Sequence, residues 1–281
     1  MKLEKAGRTE FLDDIQVTLS KQSNQKPMHT KLIGLISLIL LIASCKNETK
    51  KDGEAVWHTK KVAVENETHN QLLDIEKQQG WELLFDGKTL NGWHVYNTPN
   101  EISVWEVKNG ELHRNPKIET QNNEDLVTDK AYKNYELVLE WKISNRGNSG
   151  IFLNVQEKPE VATAYQTGPE YQILDPNHMD YGLPLKKTGC LYGFSPQKNE
   201  AITKAGQWNQ TRIVQHNGKV EFYLNGTLTA EEDFTLPGWK DKIADTHFKD
   251  YPEFGQATQG KIALQDWYFE VWFRDIKIRE L

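Results

Sequence analysis

Asn-Gly pairs set between short alternating runs constrain the fold of this chain more than any other feature. Asn109-Gly110 separates residues 104–107 from 111–113, Asn217-Gly218 separates 210–216 from 219–224, and Asn225-Gly226 turns the chain again at once. A two-residue turn needs positive φ at both central positions, and Asn-Gly supplies them at the lowest steric cost, so each pair predicts an antiparallel hairpin. Residues 135–143 alternate in the same sense, with Tyr135, Leu137, Leu139, Trp141 and Ile143 on one face and Glu136, Glu140 and Lys142 on the other.

Further strands are predicted from Gly80 onward, at 149–155, 170–174, 190–194, 261–265 and 270–278, with a loop-rich stretch at 236–259 and a short helical candidate at 71–79. Many short strands with turn signals and almost no helix predict an all-β sandwich or barrel, and no internal repeat points to a propeller. A length of 281 residues suits one main all-β domain. In a two-sheet sandwich of this size, the concave face of a curved sheet is the natural place for a ligand. All nine Trp residues follow Cys45; most are expected to pack the core, and exposed ones can stack on sugar rings.

The N-terminal region reads differently. Residues 32–44 form an apolar run after Lys31 that is too short to span a bilayer and ends in small residues before Cys45. Ile42-Ala43-Ser44-Cys45 resembles the bacterial lipobox, whose cysteine carries lipid and becomes the mature N-terminus. Translation from Met28 gives a normal signal peptide, with residues 1–27 as an upstream extension. The domain reading is therefore 1–44 for extension and signal, 45–79 for a lipidated flexible tether, and 80–281 for the folded domain. Residues 1–44 hold six basic and four acidic side chains, so their removal moves the net charge from -6 to -8. An acidic chain without a basic patch offers nothing to nucleic acid. The remaining cysteine, Cys190, reads as a buried structural thiol.

Residues 167–178, Thr-Gly-Pro-Glu-Tyr-Gln-Ile-Leu-Asp-Pro-Asn-His, gather acid, amide and imidazole groups around a strand. Alternation puts Glu170, Gln172 and Leu174 on one face and Tyr171 and Ile173 on the other. Gly168-Pro169 and Asp175-Pro176-Asn177 punctuate its ends, leaving Asp175 and His178 at its mouth. The ordinary alternative is a half-buried strand whose polar residues face solvent. Glu170 and Asp175 are the candidate acid and base. His178 suits a base because its pKa lies near working pH, a ligand for a divalent ion with Glu170 or Asp175, or a solvated loop position. Asn148 reads as a sugar contact or a turn former, and Gln265 as a sugar contact or a partner for backbone groups.

Seven fragments in fixed order carry a resemblance: residues 84–93 (Leu-Phe-Asp-Gly-Lys-Thr-Leu-Asn-Gly-Trp), 147–152 (Gly-Asn-Ser-Gly-Ile-Phe), 167–175, 206–209 (Gly-Gln-Trp-Asn), 224–226 (Leu-Asn-Gly), 262–266 (Ile-Ala-Leu-Gln-Asp) and 273–278 (Phe-Arg-Asp-Ile-Lys-Ile). Together they resemble the 3-keto-disaccharide hydrolase domain family over residues 81–281. The resemblance implies a concanavalin A-like, two-sheet jelly roll acting in glycan catabolism on glycosides whose C3 hydroxyl a partner sugar 3-dehydrogenase has oxidised. It also implies a lipid-anchored protein of the bacterial envelope, periplasmic or on the outer-membrane surface. A C3 ketone acidifies the C2 proton, and the resulting enolate can expel the C1 oxygen, after which water adds to the unsaturated sugar. Such a site needs a base near C2, a stabiliser for the enolate and a proton donor for the departing oxygen.

Glu170-x-Gln172-x-x-Asp175 is similar to the Glu-x-Asp-x-x-Glu signature of jelly-roll glucanases, an analogy of fold. The neutral amide of Gln172 and the short Asp175 turn the reading away from double displacement, which needs two carboxylates about 5 to 5.5 Å apart. Gln265 and Asp266 are expected sugar contacts. Where relatives read Leu-Gln-Asp-His-Gly, this chain has Trp267-Tyr268 after Asp266, and Trp267 can stack on a sugar instead. That departure keeps two alternatives in view, a non-catalytic carbohydrate-binding surface lipoprotein and a direct endo-glucanase-like glycosidase. Arg274 reads as a structural ion-pair partner.

Overall fold

The computed structural model describes residues 68–98, 103–118, 120, 124–201 and 203–281, all within the compact unit Ala63–Leu281. The signal peptide, the Cys45 lipidation site and most of the tether lie outside the described residues.

Each of the three hairpins forms at its Asn-Gly pair. β3 (Trp105–Lys108) and β4 (Glu111–Arg114) turn at Asn109 and Gly110, with φ of 54° and 78°. β9 (Asn209–His216), β10 (Lys219–Leu224) and β11 (Thr227–Asp233) turn at Asn217-Gly218 and Asn225-Gly226, again with positive φ throughout. These strands join β1 (Glu82–Leu83), β6 (Tyr135–Ile143) and β13 (Val271–Glu280) in an eight-stranded sheet ordered β11-β10-β9-β6-β13-β4-β3, with β1 also on β13. A five-stranded sheet is built from β2 (Trp93–Val95), β5 (Leu126–Thr128), β12 (Lys261–Leu264), β7 (Asn148–Val155) and β8 (Glu170–Leu174), in that order. Every named pairing is antiparallel. The result is the expected all-β, two-sheet jelly-roll sandwich.

Alternation decides what fills the space between the sheets. Tyr135, Leu137, Leu139, Trp141 and Ile143 of β6 meet Ile151, Leu153, Tyr171, Ile173, Leu126, Ile262 and Leu264 of the smaller sheet. Each fully buried large apolar side chain contributes about 1.5 to 3 kcal/mol. Trp141 satisfies its indole N–H by donating to Thr211 Oγ1 at 2.9 Å. A polar contact also crosses the core: Asn154 on β7 and Gln215 on β9 exchange two side-chain hydrogen bonds of 2.9 Å while both are buried.

Three local expectations change. Residues 190–194 form a tight turn held by isolated bridges at Leu191, because the chain there folds back on itself instead of extending. The loop-rich stretch contains α2 (Pro237–Ala244), started by Pro237 at its first position and anchored by buried Trp239 and Ile243 one turn apart. The folded body also starts before Gly80. α1 (Asp74–Gln78) falls within the helical candidate, and ahead of it Asn70 donates to Gly110 O at 2.8 Å and accepts from Asp275 N at 2.9 Å, at the bulge in β13.

Candidate active site

Gly168 lets the chain pass close to β7, since a Cβ there would stand 2.8 Å from Leu153 O. β8 then runs between β7 and the turn at 189–192, which caps its outer edge. Gln172 N donates to Cys190 O, Gly189 N to Gln172 O and Tyr192 N to Glu170 O. Thr188 Oγ1 closes the base of the intervening loop by accepting from Leu174 N at 2.9 Å and donating to Leu174 O at 2.6 Å. All five residues of β8 are therefore buried, where solvated polar side chains were the ordinary alternative.

Tyr171 and Ile173 enter the core, and Glu170 and Gln172 take the other face. Register fixes their neighbours there: Glu170 opposes Phe152, and Gln172 opposes Gly150. Gly150 leaves a gap that the Glu170 carboxyl fills, its Oε1 only 2.0 Å from where a Gly150 Cβ would stand. On the other flank Gln265 extends the β12 ladder by donating its backbone N–H to Gly150 O at 2.9 Å. Asp125 immediately precedes Leu126, which pairs with Leu264. Asp125, Gln265, Gly150 and Gln172 thus lie side by side on four adjacent strands, with the Glu170 carboxyl over the glycine.

The polar atoms of this patch are short of partners. Asn148 Oδ1, Glu170 Oε1, Gln172 Oε1 and Gln265 Oε1 are buried and accept no hydrogen bond within the described residues. A buried orphan costs about 1 to 3 kcal/mol, so four on one face mark a place where a ligand completes the bonding. All four are acceptor oxygens, complementary to the hydroxyl donors of a sugar.

The electrostatics follow from burial. Loss of solvent, and then the charge of Asp125, push the Glu170 carboxyl well above its ordinary range. Asp125 is pushed up to about 7, first by burial and also by the charge of Asp266, against the lowering effect of backbone N–H groups from Asp266 and Ala164. The nearby cation is already committed: Arg114 Nε bonds Asp266 Oδ1 at 2.7 Å. Burial favours the neutral form of Glu170 while Asp125 titrates near 7, a pairing that can separate acid from base roles.

The remaining sequence candidates are placed elsewhere. Asp266 is fully buried, and its oxygens accept from Arg114, Glu124 N and Tyr268 N; it positions the chain after Gln265 and offers no surface to a sugar. Asp175 lies five residues past Glu170, roughly 16 Å along an extended chain. Its Oδ1 accepts from Arg146 N and Asn177 N, both at 2.9 Å, while Oδ2 has no partner. His178 lies beyond it, half-buried, with Nδ1 accepting from Asp180 N at 3.1 Å and burial holding its pKa below the ordinary value. Trp267 is half-buried at the loop after Asp266, its ring 6.3 Å from that of Tyr268.

Glu170, Asp175 and His178 do not form a three-ligand group among the described residues, and Asp175 Oδ1 and His178 Nδ1 already accept backbone N–H bonds. Among the described residues, the grouping of three such ligands within 4.8 Å of one another is His69, Glu140 and Asp275 on the larger sheet. Arg274 bonds Glu140 at 2.8 Å there, the structural ion-pair role expected for it. An open cleft of about 230 Å³ at the far end of β7, lined by Glu157, Lys158 and Lys261 among others, is set apart from the orphaned oxygens. Its charges are paired: Glu157 with Lys261 and His94, and Lys158 with Glu253.

Asp125 and Arg114 have no local sequence signal, and only the register of four strands brings Asp125 to the patch.

The chain is a two-sheet β-sandwich protein that carries a buried acid and unsatisfied amide oxygens on one sheet face. The 3-keto-alpha-glucoside-1,2-lyase-like domain family matches residues 80–279, and the chain belongs to that family. It is 30% identical over 265 residues to a 3-keto-disaccharide hydrolase of Bacteroides thetaiotaomicron, covering 85% of this chain and 90% of the relative. A solved structure from Parabacteroides distasonis, provisionally designated a glycosyl hydrolase, shares 32% identity and a TM-score of 0.70 over 76% of this chain and all of its own. A second from the same organism, with the same designation, gives 26% identity and a TM-score of 0.53, covering 72% of this chain and 99% of that one. These relationships place the protein among glycoside-bond hydrolases.

Proposed function

We propose that this protein cleaves glycosides or disaccharides whose C3 hydroxyl has been oxidised to a ketone, by elimination followed by addition of water. The observation that carries the reading is the Glu170 carboxyl, which is buried without a counter-ion, has an unpartnered Oε1 and lies over Gly150 among amide oxygens. Burial holds the Glu170 carboxyl well above its ordinary range and so favours the protonated form, which can hand a proton to the departing C1 oxygen. The orphaned oxygens of Asn148, Gln172 and Gln265 accept sugar hydroxyls and fix the ring above it. Such a substrate requires a prior oxidation at C3, so a sugar 3-dehydrogenase must act upstream. Family membership and the name of the Bacteroides thetaiotaomicron relative support the same substrate class.

Incubating the full chain with a 3-keto-disaccharide should release the second sugar, while the unoxidised parent disaccharide stays intact. No release from the keto substrate, or equal release from both, would sink the reading.

The proposal extends to location: Cys45 carries lipid and holds the enzyme at the bacterial envelope. Mass spectrometry of the membrane fraction should find a mature N-terminus at a lipid-modified Cys45; an intact peptide spanning residues 40–50 contradicts it.

A further inference from the structure

We infer that Asp125 is the base that removes the C2 proton, opposite Glu170 as the acid on the same sheet face. The inference rests on the 3-keto-glycoside reading above and adds the half of the chemistry that Glu170 does not supply.

Three observations carry it. First, the position of Asp125 is two strands from that of Gly150, over which the Glu170 carboxyl sits, and Gln265 lies between them. Two strand spacings amount to roughly 10 Å of backbone, and the side chains reach inward from each end, leaving the width of a sugar ring over Gln265. Second, among the described residues no cation pairs with either carboxyl. Arg114 is bonded to Asp266, which in turn donates its backbone N–H to Asp125 Oδ1 at 3.0 Å. This chain fixes the direction of the Asp125 carboxyl, and burial outweighs the lowering effect of the backbone N–H, so Arg114 and Asp266 are positioning residues. Third, Asp125 is buried on the same face as Glu170, and its charge adds to burial in favouring the protonated form of Glu170.

The proton balance closes over one turnover. The Asp125 carboxylate takes the C2 proton, and the C2–H electron pair forms an enolate with the C3 carbonyl. The enolate collapses to restore C3=O and form C1=C2, the C1–O bond breaks, and Glu170 protonates the departing oxygen. Water then adds at C1, losing a proton to the Glu170 carboxylate, while Asp125 returns its proton to C2. Both carboxyls end as they began, and no oxidant or reductant is consumed.

A purely structural Asp125 would do no more than accept backbone N–H bonds, which Asn can also accept, so Asp125→Asn separates the two roles. In D2O with methyl 3-keto-glucoside, the full chain should exchange the C2 proton, followed by NMR, and release methanol. Glu170→Gln should retain exchange while release falls at least ~100-fold, and Asp125→Asn should lose both by at least ~100-fold. Wild-type exchange together with undiminished exchange in Asp125→Asn overturns the assignment of the base and leaves the substrate reading intact. A wild-type protein that neither exchanges nor releases overturns that reading and this inference with it. If Asp125→Asn does not fold, the exchange rate of Glu170→Gln against pH decides: it should rise and level off near pH 7, and a flat profile from about pH 5 to 9 overturns the proposal.

Discussion

Glu170 Oε1 stands 2.0 Å from the position of a Cβ on Gly150, so the acid occupies the space that any other residue at 150 would fill. Gly150 does not need positive φ, and an alanine there meets no backbone strain of its own. Gly150→Ala is expected to push the carboxyl aside and lower kcat by about 100-fold or more, the scale of a lost general acid. Adding Glu170→Gln should lower kcat little further, since both changes act through one group. Steady-state kinetics of the single and double variants check this; additive losses would mean that Gly150 acts by another route.

Stability should respond to pH through the same two acids. Their folded-state pKa values lie above those of the unfolded chain, so the protons stabilise the fold fully below about pH 4, and that contribution is lost as pH rises through the folded values. For Asp125 the window runs from 3.8 to about 7, and each pH unit within it removes up to about 1.4 kcal/mol. Asp125→Asn is expected to raise Tm relative to wild type at pH 8, with the gain vanishing at pH 4. Calorimetry at both pH values tests it, and a shift of equal size at each would contradict the assigned burial.

His178 offers a contrasting variant. Its Nδ1 accepts a backbone N–H beyond the end of β8, and its ring meets Phe269 edge-on with centroids 6.4 Å apart. His178→Asn should leave kcat within about tenfold of wild type, below the 100-fold scale expected of a direct proton carrier. A loss beyond that would return His178 to the chemistry.

The buried Arg114–Asp266 pair should dominate local stability, with side-chain exposures of 2% and 0%. Asp266→Ala strands the guanidinium and is expected to cost about 3 to 5 kcal/mol in urea unfolding. A double change to Met and Leu should recover most of that loss while disturbing Asp125, so stability and activity should part company.

Asn154→Ala removes one partner of the amide exchange that joins β7 to β9 across the core. Gln215 Oε1 loses its donor while Nε2 keeps the carbonyls of Lys133 and Thr258, and the stranded oxygen should cost about 1 to 3 kcal/mol, read from the denaturant midpoint. Asn154→Asp should be no milder, because a carboxylate cannot return the bond that the amide donates.

Local chemistry made the hairpins legible, because Asn109-Gly110, Asn217-Gly218 and Asn225-Gly226 each contain their own turn. Alternation likewise showed the inward face of β6 and the shared face of Glu170 and Gln172. The partners of Glu170 were hidden for a physical reason: Asp125 lies 45 residues upstream and reaches it only through the order β5, β12, β7, β8. Nearness in sequence misled at Asp175, which follows the strand closely yet turns to backbone amides at 146 and 177. It misled again at Asp266, where a family-like motif marks a buried ion pair beside the patch and not a surface. α2 escaped notice because a short helix with two buried residues leaves little periodicity to read.

The clasp between Leu174 and Thr188 has a consequence for how such proteins change over time. Both backbone groups of Leu174 are tied to one hydroxyl, and the chain leaves β8 and returns to its edge at the same place. Residues 175–187 are therefore a closed excursion that can lengthen, shorten or be exchanged while Glu170 and Gln172 keep their places. A lineage can redraw that excursion without rebuilding the strand that carries the acid.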